Sequence, residues 1–181
     1  MKVEGLFIEY LISGGIAFIW IYPTTQLLNI PKGIFDFDIK LLLVAIPITY
    51  VIGMFIDFIA SKILKKEKIK AKAREFNAKK LDEHSFYDSL FELASANSFL
   101  IEHLVMRETR VRSARGVFVN FLLASLAIPL YFFVNQKLLI GLLAGVFLIG
   151  LTIMAFYIFR KMVGLSYQFQ ASMIKKFKRD N

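Results

Sequence analysis

Four long stretches without a charged side chain alternate with charged segments along this chain. They cover Tyr10–Pro31, Leu41–Ile56, Gly116–Gln136 and Leu138–Phe159. A helix needs about 20 residues, each rising about 1.5 Å, to cross a bilayer core about 30 Å thick. Core helices of soluble proteins are rarely apolar on every face over such a length. The pattern therefore predicts an integral membrane protein with four transmembrane helices.

The predicted fold is all-α, with spans 2 and 3 extended into a helical hairpin. Residues 1–60 hold transmembrane helices 1 and 2, and residues 61–115 form the basic hairpin. Residues 116–160 hold transmembrane helices 3 and 4, joined by a short turn at 135–137. Residues 161–181 form a basic amphipathic tail, with Leu165, Phe169, Met173 and Phe177 on one face. That face suits either the lipid interface or the side of the hairpin.

The hairpin itself is predicted from charge and from a seam of apolar residues. The Lys-rich run Lys62–Lys80 indicates a charged helix, and His84 and Ser85 mark the turn that follows. Beyond the turn, apolar side chains recur in steps of three and four at Phe86, Leu90, Leu93, Leu100, Leu104 and Val111, with Asn97 and Arg107 at the remaining seam positions. A 3.5-residue repeat is typical of a helix that packs along a partner helix.

The distribution of charge orients the chain in the membrane. Of the 23 Lys and Arg residues, 20 lie at the N-terminus, in the hairpin or in the segment Arg160–Asn181, and three (Lys32, Lys40 and Lys137) lie near the other two loops. Segments rich in Lys and Arg stay on the cytoplasmic side of a membrane. We therefore predict a multi-pass protein with both termini, the hairpin and the tail in the cytoplasm.

Enzyme signatures are missing from the sequence. There is no cysteine, and the two histidines, His84 and His103, belong to no HExxH motif. No nucleophile elbow and no pair of catalytic acids within the spans is present. The residues left outside the membrane are too few for a separate globular domain. We therefore expect no enzyme activity, no catalytic residues, no metal site and no cofactor.

Arginines cluster just before span 3, at Arg107, Arg110, Arg112 and Arg115. The preceding Lys-rich run, in contrast, contains a single arginine. A guanidinium group binds phosphate or carboxylate through two parallel hydrogen bonds, which an ammonium group cannot do. The four arginines are therefore candidate contacts to a phosphate-bearing anion. The alternative is that they anchor the chain to lipid headgroups or form internal ion pairs.

Polar residues within the spans form a second candidate site. Glu9, Asp57 and Asn120 lie a few residues inside the predicted cytoplasmic membrane face, at the level of Arg115 and Arg160. Ionisable side chains in spans usually face the bundle interior and find a partner. One interpretation is structural pairing of Glu9 or Asp57 with Arg115 or Arg160. The other is a polar gate on an ion path, formed by Glu9, Asp57, Asn120 and Arg160.

Two features suggest association with partners besides the lipid bilayer. Gly141 and Gly145 form a G-x-x-x-G pattern in span 4, which lets helices pack closely within one chain or between copies. The polar Asn97 in the hairpin seam is of the kind that fixes register and subunit number. We therefore expect a homo-oligomer, with a tetramer as one candidate.

Two short stretches resemble a known group of proteins. They are YVIGMFID over Tyr50–Asp57, which ends span 2, and RVRSARGVFVN over Arg110–Asn120, which opens span 3. With the long basic helical insert between them, they are similar to small bacterial four-span membrane effectors of nucleotide-signalling anti-phage defence systems, of the Hailong type. The resemblance implies a homo-oligomeric ion channel in the bacterial inner membrane, controlled by an oligonucleotide that a nucleotidyltransferase encoded nearby produces. It also implies phosphate contacts at Arg110, Arg112 and Arg115, and polar bundle positions at Asp57 and Asn120.

Together these features lead us to expect a membrane effector or ion channel gated by an anionic nucleotide or oligonucleotide at its basic cytoplasmic region. The alternative is a non-enzymatic membrane anchor or sensor whose cytoplasmic hairpin docks a protein partner. Ion flux through the protein on its own would separate these two functions.

Overall fold

The computed structural model describes residues 3–29, 39–79 and 98–180. These residues form five α-helices: α1 Val3–Leu27, α2 Ile39–Ile63, α3 Lys65–Lys79, α4 Ser98–Val134 and α5 Leu138–Asp180. None of the described residues belongs to a strand. The prediction of an all-α fold is therefore confirmed for these ranges.

Helices α1, α2, α4 and α5 are each long and apolar enough to cross a membrane. Helices α4 and α5 contain 37 and 43 residues, which correspond to about 55 and 65 Å at 1.5 Å per residue. A bilayer core is only about 30 Å thick, so each of these two helices continues well beyond a span. Large apolar side chains such as Leu139, Val146 and Phe147 are exposed on α5, where they suit contact with lipid.

The charged parts of the helices collect at one end of the bundle, here called the basic end. It comprises α3, residues 98–115 of α4 and residues 160–180 of α5. Lys68 of α3 forms an ion pair with Glu108 of α4 at 3.0 Å. The Phe76 ring of α3 packs edge-on against Tyr167 of α5, with ring centroids 6.3 Å apart. Helix α3 therefore contacts both long helices at this end.

Helices α2 and α3 are almost one helix. At Leu64, where they meet, the Leu64 N–H donates to the Ala60 carbonyl at 3.0 Å, and the Lys68 N–H donates to the Leu64 carbonyl at 3.1 Å. Span 2 thus continues into a charged helix. The predicted turn at His84 and Ser85, and the seam residues Phe86, Leu90, Leu93 and Asn97, lie outside the described residues. Closure of the hairpin therefore stays a prediction.

Helices α4 and α5 form a tight pair joined by a three-residue turn. Helix α4 ends at Val134 and α5 begins at Leu138, so the turn lies where the sequence predicts it. Gln136 adopts the left-handed conformation, with φ of 58°. A Cβ added at Gly141 would lie 2.7 Å from the Phe133 ring, and one added at Gly145 would lie 3.2 Å from the Pro129 ring. The G-x-x-x-G pattern therefore packs α5 against α4 within one chain.

The seam before span 3 packs against α5 at the basic end. Leu100 and Val111 are buried, and the Arg107 guanidinium lies 4.1 Å from the centroid of the Phe169 ring. Helix α5 runs without a break across the predicted domain boundary at residues 160 and 161. Of the predicted apolar stripe, Phe169 packs against Arg107 of α4 and Leu165 is exposed, and the buried residues are Val163, Ser166, Ala171 and Ile174. The small side chains of Ser166 and Ala171 permit the close approach of α5 to its neighbours, and a pattern search for large apolar residues overlooks them.

Helix α1 crosses α2 with almost no side chain between the two backbones. A Cβ added at Gly14 would collide with the Thr49 carbonyl, and one added at Gly53 would collide with the Tyr10 carbonyl. On its other side, α1 packs against α4. The buried core where the helices meet includes Ala17, Ile56, Ala60, Val119 and Phe159. This close packing of α1, α2 and α4 brings the polar residues of the three helices together.

Candidate functional site

An ion pair joins α2 to α4 inside the bundle. The Arg115 guanidinium donates to Asp57 Oδ1 through Nε at 2.9 Å and through Nη2 at 2.5 Å. The two side chains are only 11% and 17% exposed, so neither charge has much contact with water. Of the pairings expected from the sequence, this one is present. A buried pair of this kind is expensive to break, because the remaining charge would lie unpaired in an apolar interior.

One turn further into the bundle, Asn120 of α4 links to α1. Its side chain is fully buried, and its Nδ2 donates to the Ser13 carbonyl at 2.8 Å. Its Oδ1 accepts a hydrogen bond from the Trp20 indole at 3.0 Å. Ser13 also lies close to Gly116, where an added Cβ would be 2.6 Å from Ser13 Oγ. The absence of a side chain at Gly116 thus allows α1 to approach α4 and satisfy Asn120.

Glu9 is the unsatisfied member of this group. Its side chain is 6% exposed, and neither carboxylate oxygen has a hydrogen-bond partner among the described residues. It borders a cavity of about 10 Å³ that Tyr10, Asp57 and Arg112 also line. This space is close to the smallest that holds one water molecule. Glu9 does not pair with Arg115 or Arg160, because Arg115 contacts Asp57 and Arg160 contacts Glu67.

These residues form one connected group, here called the polar cluster: Glu9, Ser13, Trp20, Asp57, Arg112, Arg115 and Asn120. The sequence predicted Glu9, Asp57 and Asn120 as polar positions and Arg115 as a pairing partner, but it suggested Arg112 only as a contact to an anion. It did not predict Ser13 and Trp20. The single tryptophan of the chain could have indicated a polar partner within the spans, because a buried indole N–H generally needs a hydrogen-bond acceptor. The cluster brings Glu9 of α1 and Asp57 of α2 together with Arg112 and Arg115 of the basic end. Acids within spans usually mark functional positions.

The structure does not bring the four candidate arginines together as one anion site. Arg115 pairs with Asp57, and Arg112 lines the cavity beside Glu9. Arg107 stacks on Phe169 and donates to the Leu165 carbonyl at 3.4 Å. Arg110 is exposed, with its Nη2 at 3.6 Å from the Met106 sulfur. Two of the four therefore point into the bundle and two lie on its surface.

Basic side chains from α3 and α5 surround an open cavity of about 510 Å³, here called the basic cleft. Its cations are Lys70 and Arg74 of α3 and Arg160 and Lys161 of α5, and Glu67 is the acid that lines it. Glu67 lies between the helices, 3.4 Å from Arg160 Nε and 3.3 Å from Lys70 Nζ. The sequence had suggested a polar bundle position for Arg160, whereas the structure places it here, at the basic end.

The side chains of the basic cleft remain accessible although some of them form ion pairs. Lys70 is 74% exposed and Arg160 is 59% exposed. The cleft thus concentrates positive charge on an accessible surface, whereas the polar cluster holds balanced charge inside the bundle.

No protein-family model matches this chain, and searches of curated proteins and of solved structures likewise find no match.

Proposed function

We propose that this chain is a homo-oligomeric effector of the bacterial cell membrane, an ion channel controlled by an anionic nucleotide or oligonucleotide at its basic end, which faces the cytoplasm. The polar cluster is the observation that carries the proposal. Acids within spans are rare and costly, and they almost always face the interior of a bundle or a water-filled path. A simple membrane anchor has no need of Glu9 and Asp57 within its spans.

The polar cluster supplies the gate in this proposal. On α1 its members extend from Glu9 through Ser13 to Trp20, about 16 Å along the helix axis. That is about half of a bilayer core. In the described conformation these groups contact α4 and one another, which corresponds to the closed state. Opening then consists of separating α1 from α4, so that water and ions replace the hydrogen bonds of Asn120 and reach the Glu9 carboxylate.

The basic end supplies the control. Asp57 and Glu67 are ten residues apart on the nearly continuous run of α2 and α3, a separation of about 15 Å. A ligand that draws α3 toward or away from α5 therefore acts on the helix that carries Asp57. The ligand shifts the balance between closed and open states only to the extent that it binds one of them more tightly.

The resemblance to Hailong-type effectors supports the same proposal from a different direction. The two stretches that carry it, Tyr50–Asp57 and Arg110–Asn120, contain four members of the polar cluster: Asp57, Arg112, Arg115 and Asn120. In a defence system of this type, a nucleotidyltransferase encoded nearby would produce the ligand. Control of the cell's ion gradients would then be the antiviral output.

A second candidate function is a non-conducting anchor or sensor that docks a protein partner. Ile101, Val105 and Met106 are exposed on the part of α4 that belongs to the basic end. In the proposed topology these side chains lie outside the bilayer, where exposed apolar residues often mark a contact with another protein. This surface would be buried by the partner.

Reconstitution into liposomes tests the proposed channel. We expect ion flux that changes when adenosine triphosphate or short oligonucleotides are added on the side of the basic end. The variants Glu9→Gln and Asn120→Leu should alter the flux without added ligand, because the first removes a charge at the gate and the second removes the hydrogen bonds of Asn120. Ser125→Ala is the matched control, since the Ser125 hydroxyl donates to the Leu122 carbonyl of its own helix at 2.7 Å and, among the described residues, to no other helix.

Two results would contradict the proposal. One is the absence of flux, with and without these ligands, from protein that is inserted in the liposomes; this would favour the docking function. The other is a monomeric mass in several detergents, which would exclude a homo-oligomer.

A further inference from the structure

The basic cleft has the features of a built ligand site. Lys70 and Arg74 follow Glu67 at steps of three and four along α3, so all three share the helix face toward α5. Arg160 and Lys161 complete the opposite wall from α5. The volume of about 510 Å³ lies within the range of about 300–1,000 Å³ that small-molecule sites occupy.

A missing side chain on α5 allows Arg74 to reach across the cleft. The Arg74 Nη2 lies 3.2 Å from the position that a Cβ would take at Gly164. Arg74 also donates to Glu75 at 3.2 Å, but its side chain remains 66% exposed. Its guanidinium group is therefore held over α5 and is still open to a ligand.

Glu67 occupies the position that an anion would take. Its two oxygens contact one cation from each wall, Arg160 at 3.4 Å and Lys70 at 3.3 Å. These distances are longer than the 2.7–2.9 Å of strong charge-assisted hydrogen bonds. Lys161 forms no ion pair among the described residues. Two carboxylates, Glu67 inside the cleft and Glu75 beside Arg74, thus face four cations on its walls.

We propose that the basic cleft binds a phosphate-bearing ligand and that Glu67 is the internal counter-ion displaced by it. This inference names the ligand site of the proposed function and rests on it for its biological role. A phosphate group carries more charge than a carboxylate and accepts paired hydrogen bonds from guanidinium groups such as Arg74 and Arg160. Tyr157 lines the cleft and is exposed, so its ring can stack on a base or lie among lipid headgroups.

Binding of adenosine triphosphate to the full chain, measured by calorimetry in phosphatidylcholine nanodiscs at moderate salt, tests the site. Glu67→Gln should bind about two- to fivefold more tightly, since it removes a competing exposed ion pair. Arg160→Gln and Arg74→Gln should each bind about tenfold or more weakly, since each loses a charge-assisted contact. A gain of affinity in Glu67→Gln cannot result from misfolding.

Two control variants lie at the basic end but outside the cleft. Lys175→Gln removes an exposed cation from α5, and Glu102→Gln removes an exposed acid from α4. We expect both to bind like the parent protein. Equal losses in Arg160→Gln and Lys175→Gln would overturn the site, because the effect would then follow net charge alone. Unchanged or weaker binding by Glu67→Gln would overturn the role of Glu67.

A second experiment distinguishes a soluble nucleotide from a lipid headgroup as the source of the phosphate. Nanodiscs that also contain phosphatidylglycerol should leave binding of adenosine triphosphate unchanged if the ligand is a soluble nucleotide. If the lipid competes and the competition is lost in Arg160→Gln, the same cleft takes a lipid headgroup. If the variants bind adenosine triphosphate as expected but flux never responds to it, the binding site is supported and the proposed channel function is contradicted. If flux responds to the ligand equally in the parent protein and in Arg160→Gln, only the assignment of the basic cleft as the ligand site is contradicted.

Discussion

The Asp57–Arg115 pair is the residue-level contact whose loss should cost the most. Asp57→Asn leaves the Arg115 charge in a position that is 11% exposed, which should lower the free energy of unfolding by about 3–5 kcal/mol. Adding Arg115→Gln removes the orphaned charge, so the double variant should be more stable than the sum of the single losses predicts. Denaturation in mixed detergent micelles measures these differences. Additive losses would show that the pair does not couple α2 to α4.

The hydrogen bonds of Asn120 offer a second test at this scale. Asn120→Ala leaves the Trp20 N–H and the Ser13 carbonyl without their partner. Hydrogen bonds between helices in membranes average about 0.6 kcal/mol, so the loss of both should cost about 1 kcal/mol. Ser125→Ala, which affects a bond within α4 only, should stay close to the parent. The same micelle denaturation compares them, and equal stability of the two variants would contradict the role of Asn120.

Single residues also show how far the sequence alone could lead. Pairing of Glu9 or Asp57 with Arg115 or Arg160 was predictable, because charges at one depth of a membrane have few alternatives, but the sequence did not distinguish among these four pairs. The partners of Asn120 were not, because a helix that is apolar on all sides gives no indication of its rotation. Glu67 and Arg160 were missed as neighbours for a related reason: the packing of α3 along α5 is not encoded in the Lys-rich run.

At the scale of helices, two adjacent glycines provide a matched test of packing. Gly14→Ala places a methyl group against the Thr49 carbonyl, whereas Gly15→Ala points into open space. The first should destabilise the fold by about 1–3 kcal/mol through overpacking. The second should be neutral, or stabilising by up to about 1 kcal/mol through helix propensity. Protease resistance and unfolding in micelles measure both, and similar behaviour of the two variants would argue against the close crossing of α1 and α2.

Hydropathy and charge predicted the spans and the turn before Leu138, because both depend on local composition. Local composition did not predict which helix packs against the seam around Leu100 and Val111. A 3.5-residue repeat specifies which face of a helix packs but not which helix covers it. Within the described residues that helix is α5, whose buried face carries Ser166 and Ala171. Small residues contribute little to an apolar pattern. The large side chains of the tail therefore did not reveal whether it packs on α4 or lies at the lipid interface.

For the whole molecule, the orientation in the membrane is the most direct prediction. The chain has no cysteine, so single cysteines can be introduced cleanly. Asn135→Cys, in the turn between α4 and α5, should react with a membrane-impermeant reagent in intact cells. Ala73→Cys, exposed on α3, should react only after the membrane is opened. Reaction of Ala73→Cys in intact cells would reverse the proposed topology and remove the basic end from the cytoplasm.

The crossing of α1 and α2 has a mechanical consequence. With the Tyr10 carbonyl against Gly53 and the Thr49 carbonyl against Gly14, no layer of side chains separates the two helices at this crossing, so close packing opposes sliding of one helix past the other. Gly141 and Gly145 similarly bring α5 close to α4. The polar cluster lies between these two helix pairs, and α3 continues from α2 and packs on α5. A displacement of α3 along α5 would therefore act through α2 on the buried pair of Asp57 and Arg115.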